Sequence, residues 1–297
     1  MSVGIALSGG GIKSFSQLPV LEALHKKGIN IDYYAGTSMG AAIAALAASG
    51  LELEVMIPLA LEVEELLLKQ RVFSRPSLRM LPFSKNKIHA GYVDGEVIET
   101  IIDPIFQEHG ISNIRDVKVP LAIPSVDILT GKLIVFVSHP ELFNAHKDWI
   151  VISDVKLSLA VRASCSFPFI ISAVPYDNYL LTDGGVKMNL PLDLVEAYGA
   201  TKTVAVTMHQ DSDFTEYDRI QPLANRVMDL MAGSKDELVV GRADVHINIP
   251  LNDIWVFDIG KGIDTITAGE QIMEEYQKSL ETLIKKPTFW EKLFNLV

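Results

Sequence analysis

The chain has 297 residues, of which 48% are apolar and 21% charged, and its formal net charge is −11 at pH 7. This composition excludes a disordered protein, and the acidic balance argues against nucleic acid as a partner, because neutralising phosphates requires a basic face. The single cysteine, Cys165, allows no intrachain disulfide and, with no signal peptide and no apolar run of membrane-spanning length, predicts a cytoplasmic protein.

The first residues predict a β-α-β unit. Val3–Leu7 is a short apolar run typical of a central parallel strand, and Ile31–Ala35 is interpreted as the next strand. Between them, leucines at helical spacing predict a helix over Phe15–Lys27 that stops at Gly28. The carboxyl ends of both strands therefore belong to one edge of a parallel sheet, where ligands of such folds bind.

Three consecutive glycines, Gly9–Gly11, follow the first strand. Backbone N–H groups exposed at a helix N-terminus suit a phosphate or an oxyanion. Neither nucleotide motif fits, because Ile12 separates the last glycine from Lys13 and because Ser14 stands where a dinucleotide fingerprint needs glycine. A tight turn without a ligand is the alternative interpretation.

The second strand leads directly into Gly36-Thr37-Ser38-Met39-Gly40 and then into an alanine-rich helix. The G-x-S-x-G spacing is typical of a nucleophile elbow, in which the central residue is strained and Gly36 and Gly40 relieve crowding. The serine oxygen would project above the sheet, and the helix N-terminus would favour developing negative charge. We therefore take Ser38 as the candidate nucleophile, with an ordinary glycine-rich turn as the alternative.

Residues 69–87 follow a predicted helix, Leu53–Lys69, and differ in character from the rest of this acidic chain. They include six lysines or arginines and no acidic residue, with apolar side chains interleaved. This basic-hydrophobic strip is either a solvated loop whose apolar residues pack on the body, or a lid or interfacial patch that contacts membranes. The tail, residues 285–297, predicts an amphipathic helix with Trp290 beside lysines. This helix either packs on the protein's own surface or anchors the protein at a membrane interface.

The remaining elements are assigned by periodicity and turn signals. Two antiparallel strands are expected around the turn at Thr130-Gly131, and Asn189 is expected to cap a helix that ends near Gly199. No repeat or linker divides the chain. The other predicted helices are Asp94–Glu108, Asp154–Arg162, Pro222–Val240 and Thr265–Ile284, and the other strands are Leu121–Val126, Lys132–Val137, Tyr179–Leu181, Thr203–Thr207 and His246–Ile249.

Asp183 is the strongest candidate for the base that a serine nucleophile needs. It follows a predicted strand directly, and Gly184 and Gly185 after it let the backbone approach another loop closely. An Asx-turn role is the structural alternative. A Ser-His-Asp triad is also open, with Asp183 orienting His209 or His246.

Three motifs in this order, Gly9-Gly10-Gly11-Ile12-Lys13, Gly36-Thr37-Ser38-Met39-Gly40 and Asp183-Gly184-Gly185, resemble the patatin-like phospholipase family. Ala163-Ser164-Cys165-Ser166-Phe167-Pro168 and Asn189-Leu190-Pro191 resemble blocks that flank the family's aspartate. The resemblance covers residues 3–210. Ser14 departs from it, because many members have glycine there.

The resemblance implies a three-layer α/β/α sandwich with a mostly parallel sheet. Because no repeat or linker divides the chain, one domain is expected over residues 1–284. The resemblance also implies hydrolysis of phospholipid or lysophospholipid esters through a Ser38–Asp183 dyad, with no metal and no cofactor. By position, Gly9, Gly10 and Gly11 supply oxyanion-hole N–H groups, and Lys13 fills the site of the family's arginine or lysine. A triad esterase and a non-catalytic lipid-binding protein are the alternatives. An aspartate of ordinary pKa is a poor base at neutral pH, so the dyad requires desolvation or help from the oxyanion hole.

Overall fold

The computed structural model describes residues 1–81, 83–84, 87–209, 214–215, 218 and 220–284. The predicted tail over residues 285–297 lies outside these ranges. The strands are β1 (Val3–Leu7), β2 (Tyr33–Gly36), β3 (Gly91–Val93), β4 (Leu121–Asp127), β5 (Leu133–Val137), β6 (Trp149–Ile152), β7 (Phe169–Ile171), β8 (Val174–Tyr176), β9 (Tyr179–Asp183), β10 (Lys202–Thr207) and β11 (Val245–Asn248). The helices are α1 (Gln17–Lys26), α2 (Met39–Ala48), α3 (Leu53–Lys69), α4 (Glu96–Glu108), α5 (Leu157–Ser164), α6 (Leu192–Ala197), α7 (Ile220–Val240) and α8 (Gly262–Leu280).

The central sheet has the strand order β11-β10-β1-β2-β4-β5-β6. The pairs β10–β11, β1–β10, β1–β2, β2–β4 and β5–β6 are all parallel. The predicted fold class, α/β with a mostly parallel central sheet, is confirmed. The predicted hairpin is also present, because β4 and β5 are antiparallel.

Alternate residues of the central strands face two separate cores, as the period-two geometry of a strand requires. Ile5 and Leu7 of β1 pack into a core shared with α1, α2, α5 and α8. Ala6 between them packs into a second core with α6 and the end of α7. All three side chains are fully buried. Helices therefore cover both faces of the sheet and give the expected three layers.

Two strands meet end to end along one edge of β4. β2 runs parallel to the beginning of β4, with Ala35 opposite Ala122. β9 runs antiparallel to the end of β4, with Asp183 opposite Ser125. Both strands thus point into a gap that spans three residues of β4, or about 10 Å. The turn after β2 carries Ser38, so this register brings Ser38 and Asp183 to the same place.

Asn189 is not the cap of α6, which corrects the sequence-based expectation. The N-cap position belongs to Pro191, and no side chain caps this helix. The Asn189 amide instead donates a hydrogen bond to Asp236 of α7 at 2.8 Å. Proline ends the preceding turn by fixing its own φ angle, which frees the asparagine for a tertiary contact.

The basic-hydrophobic strip, as far as residues 69–87 are described, packs partly on the body and is partly exposed. The Phe73 ring lies 5.3 Å from that of Phe257, centroid to centroid, as the packed-loop interpretation expects. Leu78 and Phe83 are 79% and 81% exposed. Arg79 is paired with Asp94 and Glu96. Among the described residues, no helix combines the length and apolar composition needed to cross a bilayer.

Candidate active site

Ser38 occupies a sharp turn between β2 and α2. Its backbone angles, φ 54° and ψ −129°, lie in a region that non-glycine residues rarely adopt, so the turn is strained. The flanking glycines are required by close packing. A Cβ atom on Gly40 would lie 2.6 Å from the carbonyl oxygens of Leu7 and Ser8, and one on Gly36 would overlap the Gly40 carbonyl. The geometry is that of the predicted elbow.

The Gly9–Gly11 loop lies directly beside this elbow. A Cβ atom built on Gly9 would stand 3.1 Å from the Ser38 Cβ atom. The N–H of Gly9 donates to the Asn189 carbonyl at 3.2 Å, so this amide is engaged and is not available to an oxyanion in this structure. Among the described residues, no group accepts a hydrogen bond from the N–H of Gly10 or Gly11. These two amides are therefore free donors on the wall of the cavity that Ser38 lines.

Asp183 ends β9 and is 3% exposed. Its Oδ1 atom accepts the Gly185 N–H at 2.7 Å, which forms the Asx turn that the sequence offered as the structural alternative. The Oδ2 atom is buried and has no well-formed hydrogen bond within the described part of the chain. Burial raises the pKa of Asp183 to about 6, against smaller lowering effects of the Ser38 side chain and the Gly185 N–H. Ser38 thus approaches the carboxylate without yet forming a well-aligned hydrogen bond, as is common in unliganded sites.

The segment Ser164-Cys165-Ser166 joins the serine turn to the aspartate. Ser164 Oγ accepts the Ser38 N–H at 2.9 Å, and the Ser166 carbonyl accepts the Asp183 N–H at 3.0 Å. Burial, and then the charge of Asp183, raise the pKa of the Cys165 thiol, while the nearby Ser38 hydroxyl lowers it. The thiol is therefore held in its neutral form, in agreement with the interpretation of Cys165 as a small buried residue.

Lys13 is 3% exposed and lines the same cavity as Ser38. Burial lowers the pKa of its ammonium, and the carboxylates of Asp229 and Asp258 oppose this effect. The structure therefore places the buried Lys13 amine near the glycine loop, at the position that the resemblance assigns to the family's arginine or lysine.

Neither candidate histidine lies between Ser38 and Asp183. His209 lines the cavity, but its Nε2 atom faces Asp236 Oδ2 at 3.2 Å, without the alignment of a hydrogen bond. His246 Nε2 is 2.8 Å from the Thr207 hydroxyl. Burial lowers the pKa of His246, with His209 adding to the effect and Asp236 opposing it. The imidazole of a triad is thus not in position in this structure.

Ser38 and Asp183 share one cavity of about 560 Å³, which is the size of a typical small-ligand site. One part of its wall is apolar and comes from α2, α3 and α4; it includes Ala42, Leu46, Ala60, Val63, Ile101 and Ile105. Another part is polar and includes Lys13, His209, Arg226, Asp229, Lys235 and Glu237. The cavity can therefore hold a molecule with one apolar and one polar end.

The fold and this site define an α/β/α protein that carries a serine on a strained strand-to-helix turn beside a buried carboxylate. The family model "Patatin-like phospholipase" matches residues 5–195, and the chain belongs to this family, as its motifs indicated. Membership of a phospholipase family supports a lipid hydrolase activity.

The chain is also similar to curated relatives and, in its fold, to a solved structure. The chain is 30% identical over 214 residues to the protein YqhO of Bacillus subtilis, covering 70% of this chain and 72% of that protein. It is 27% identical over 218 residues to neuropathy target esterase sws of Drosophila melanogaster, covering 73% of this chain and only 14% of that protein. The crystal structure of VipD from Legionella pneumophila matches with a TM-score of 0.51 at 11% identity, covering 94% of this chain and 67% of that chain. This last likeness is one of fold.

Proposed function

We propose that this protein is a lipid acyl hydrolase that cleaves carboxylic esters of phospholipids or lysophospholipids, with Ser38 as nucleophile and Asp183 as its base. The observation that carries the proposal is the Oδ2 atom of Asp183, which is buried on the wall of the cavity that Ser38 lines and has no well-formed hydrogen bond to any described residue. A buried acceptor without a partner is costly and marks a place where a proton can be received. A pKa of about 6 makes this carboxylate a better base near neutral pH than an ordinary aspartate.

In the acylation step, the Ser38 Oγ atom forms a bond to the ester carbonyl carbon while its proton moves to Asp183 Oδ2. The carbonyl oxygen becomes an oxyanion, which the free N–H groups of Gly10 and Gly11 stabilise by hydrogen bonds. The carbon–oxygen bond to the alcohol then breaks, and the leaving oxygen takes the proton from Asp183. The acyl group remains on Ser38.

In the deacylation step, water attacks the acyl carbon and gives a proton to Asp183. Collapse of the second tetrahedral intermediate breaks the bond to Ser38 Oγ, which recovers that proton. The free fatty acid leaves, and the enzyme returns to its starting state. The apolar wall from α3 and α4 would hold the acyl chain during both steps.

The dyad is tested by turnover of a short-chain nitrophenyl ester. Ser38→Ala and Asp183→Asn should each abolish turnover, whereas His246→Ala should leave it unchanged. A triad instead predicts that His209→Ala is as damaging as Asp183→Asn, and the dyad predicts a much smaller loss. Near-normal activity of folded Asp183→Asn would contradict the proposal.

A non-catalytic lipid-binding protein is the second candidate function, favoured only by the size and apolar wall of the cavity. It predicts no covalent labelling of Ser38 by a fluorophosphonate probe. Labelling of the wild-type protein and none of Ser38→Ala, followed by mass spectrometry, would exclude it. Product analysis with defined phospholipids and lysophospholipids would then assign the substrate class.

We also propose that residues 1–284 work as one domain and that the basic-hydrophobic strip contacts the lipid surface. Support for one domain comes from α8, whose Gly269 lies against the Ser16 carbonyl beside the glycine loop. Support for the membrane contact comes from the exposed Leu78 and Phe83 side chains among basic residues. The predicted tail over residues 285–297 stays a second candidate for that contact.

A further inference from the structure

Asp236 of α7 is a carboxylate that the motifs did not identify, and it lies outside the segment matched by the family model. Asp236 is 1% exposed. Oδ1 accepts the Leu190 N–H at 2.9 Å, and Oδ2 accepts the Asn189 amide at 2.8 Å. His209 Nε2 lies 3.2 Å from the same Oδ2 atom. Two hydrogen bonds thus hold a buried carboxylate, and the His209 ring nitrogen lies close to it without the alignment of a hydrogen bond.

Asn189 links this carboxylate to both glycine turns of the site. The backbone carbonyl of Asn189 accepts the Gly9 N–H at 3.2 Å. The side-chain Oδ1 atom of Asn189 packs closely on both glycines. A Cβ atom built on Gly9 would lie 2.9 Å from it, and a Cβ atom built on Gly185 would lie 3.2 Å from it. The asparagine therefore lies between the loop that carries the free amides and the turn that follows Asp183. A rotation of its amide group would disturb both.

Asp236 does not itself face the substrate. Of the residues that the structure describes, its neighbours Lys235 and Glu237 line the cavity, whereas Asp236 does not. Its carboxylate can influence the reaction only through the groups that it holds. This position argues against a role as general base. Of the cavity-lining side chains beside Asp236, Asn189 is the one that forms a hydrogen bond with it.

We propose that Asp236 is a positioning residue that fixes the Asn189 amide and, through it, the Gly10 and Gly11 amides relative to Ser38. This rests on the proposed function, because it assigns those amides to the oxyanion. Small displacements of a preorganised donor are costly to the rate, on the order of 100-fold for about 1 Å. Substrate binding, which depends on the apolar wall, is affected much less.

The test compares Asp236→Asn, Asn189→Ala and the double variant on a soluble nitrophenyl ester. Asp236→Asn keeps the shape but turns an NH₂ group toward a donor, so we expect kcat to fall on the order of 100-fold with little change in KM. The double variant should lose no more than Asn189→Ala alone, because both changes disrupt one contact. Additive losses, or a normal kcat in folded Asp236→Asn, would overturn the proposal.

Asp244→Asn is the matched control. The Asp244 carboxylate also bonds one backbone N–H, that of Thr203 at 2.9 Å, and one side chain, Lys202, but at the opposite edge of the sheet. It should lower the melting temperature and leave kcat unchanged. Circular dichroism reports whether each variant is folded, and if Asp236→Asn is not, Asn189→Ala alone must show the kcat loss with normal KM. Failure of the proposed function itself would appear separately, as turnover that survives Ser38→Ala.

Discussion

The Oγ atom of Ser164 accepts a hydrogen bond from the backbone N–H of Ser38 at 2.9 Å. Ser164 is the last residue of α5 and is fully buried. The bond satisfies the amide of a residue whose φ is +54°, and such strained positions persist only when their surroundings hold them. Ser164 therefore stabilises the serine turn from the side of α5.

Ser164→Ala should destabilise the fold and reduce kcat together. Removing the acceptor leaves a partly buried N–H unpaired, at a cost of about 1–3 kcal/mol. The free energy of unfolding in urea and kcat on a soluble ester measure the two effects. Ser158→Ala is the control, since Ser158 lies on the same helix and bonds Asp103 at 2.8 Å, away from the site. An equal loss of kcat in both variants would contradict a specific role for Ser164.

The sequence predicted the central strands and the two key turns, because their signals are local. β1 and α3 have the predicted bounds. The apolar run that identifies β1 and the G-x-S-x-G pattern that identifies the serine turn each span only five residues. The strands β3, β6, β7 and β8 were not predicted. They are three or four residues long and only partly buried, so their sequences carry little periodicity.

The tertiary contacts of the site could not be predicted, because they join distant residues. Nothing near Asn189 indicates that its amide bonds a carboxylate 47 residues later. The Gly9 amide was expected to face an oxyanion, yet its direction depends on the Asn189 carbonyl. The raised pKa of Asp183 likewise follows from burial, which a single sequence does not report.

The rate of ester hydrolysis should rise with pH and level off above about 6. The proposed base is active only when ionised, and burial raises the pKa of Asp183 to about 6. We expect kcat/KM to reach half its plateau near that pH, and circular dichroism over the same range shows that the fold persists. A flat profile from about pH 5 to pH 8 would exclude Asp183 as the titrating base.

Asp183→Asn should be inactive and yet more stable than the wild type at neutral pH. The folded-state pKa is raised from 3.8 to about 6, so the stability that the protonated carboxyl contributes is fully present below 3.8. It is lost as pH rises through about 6. The free energy of unfolding of the wild type therefore falls by roughly 3 kcal/mol over this pH range, and the neutral amide of Asp183→Asn avoids this fall. Urea unfolding at pH 7.5 and at pH 4 should show the gain only at the higher pH.

Asp127→Asn should change the free energy of unfolding in the opposite direction and serves as the comparison. Burial of Asp127 acts to raise the pKa, but the hydrogen bonds from Thr130, Leu180 and Leu129 outweigh it and lower the pKa. Its stability contribution is present above the unfolded pKa, so Asp127→Asn should be less stable at neutral pH. A loss of similar size in both variants would refute the account of Asp183.

Ala60→Phe should shorten the acyl chains that the enzyme accepts. Ala60 of α3 lines the apolar wall of the cavity, and a phenyl ring there would fill space that the proposed acyl chain occupies. Hydrolysis of long-chain esters should fall, whereas hydrolysis of short-chain esters should remain. Val55→Phe on the same helix is the control, because Val55 is 48% exposed and does not line the cavity. Equal losses for all chain lengths would place the acyl chain elsewhere.

Charge reversal in the basic-hydrophobic strip should weaken binding to anionic vesicles. Arg79 is unsuitable for this test, because it pairs with Asp94 and Glu96 and its reversal would also break these ion pairs. Arg75 and Lys87 are both exposed. Each basic residue near an anionic surface contributes about 1 kcal/mol, so the double change to glutamate should weaken binding about tenfold or more.

The measurement is co-sedimentation with vesicles containing phosphatidylglycerol, with hydrolysis of a soluble ester as the internal check. Hydrolysis should not change, because neither residue lines the cavity. Lys132→Glu, an exposed charge reversal in the β4–β5 turn, is the control for a charge change outside the strip, and it matches each single change, Arg75→Glu or Lys87→Glu, in net charge. Leu78→Ser should also weaken binding, since its side chain is 79% exposed and would insert between lipids. If neither the double charge reversal nor Leu78→Ser weakens vesicle binding, the strip is not the contact surface.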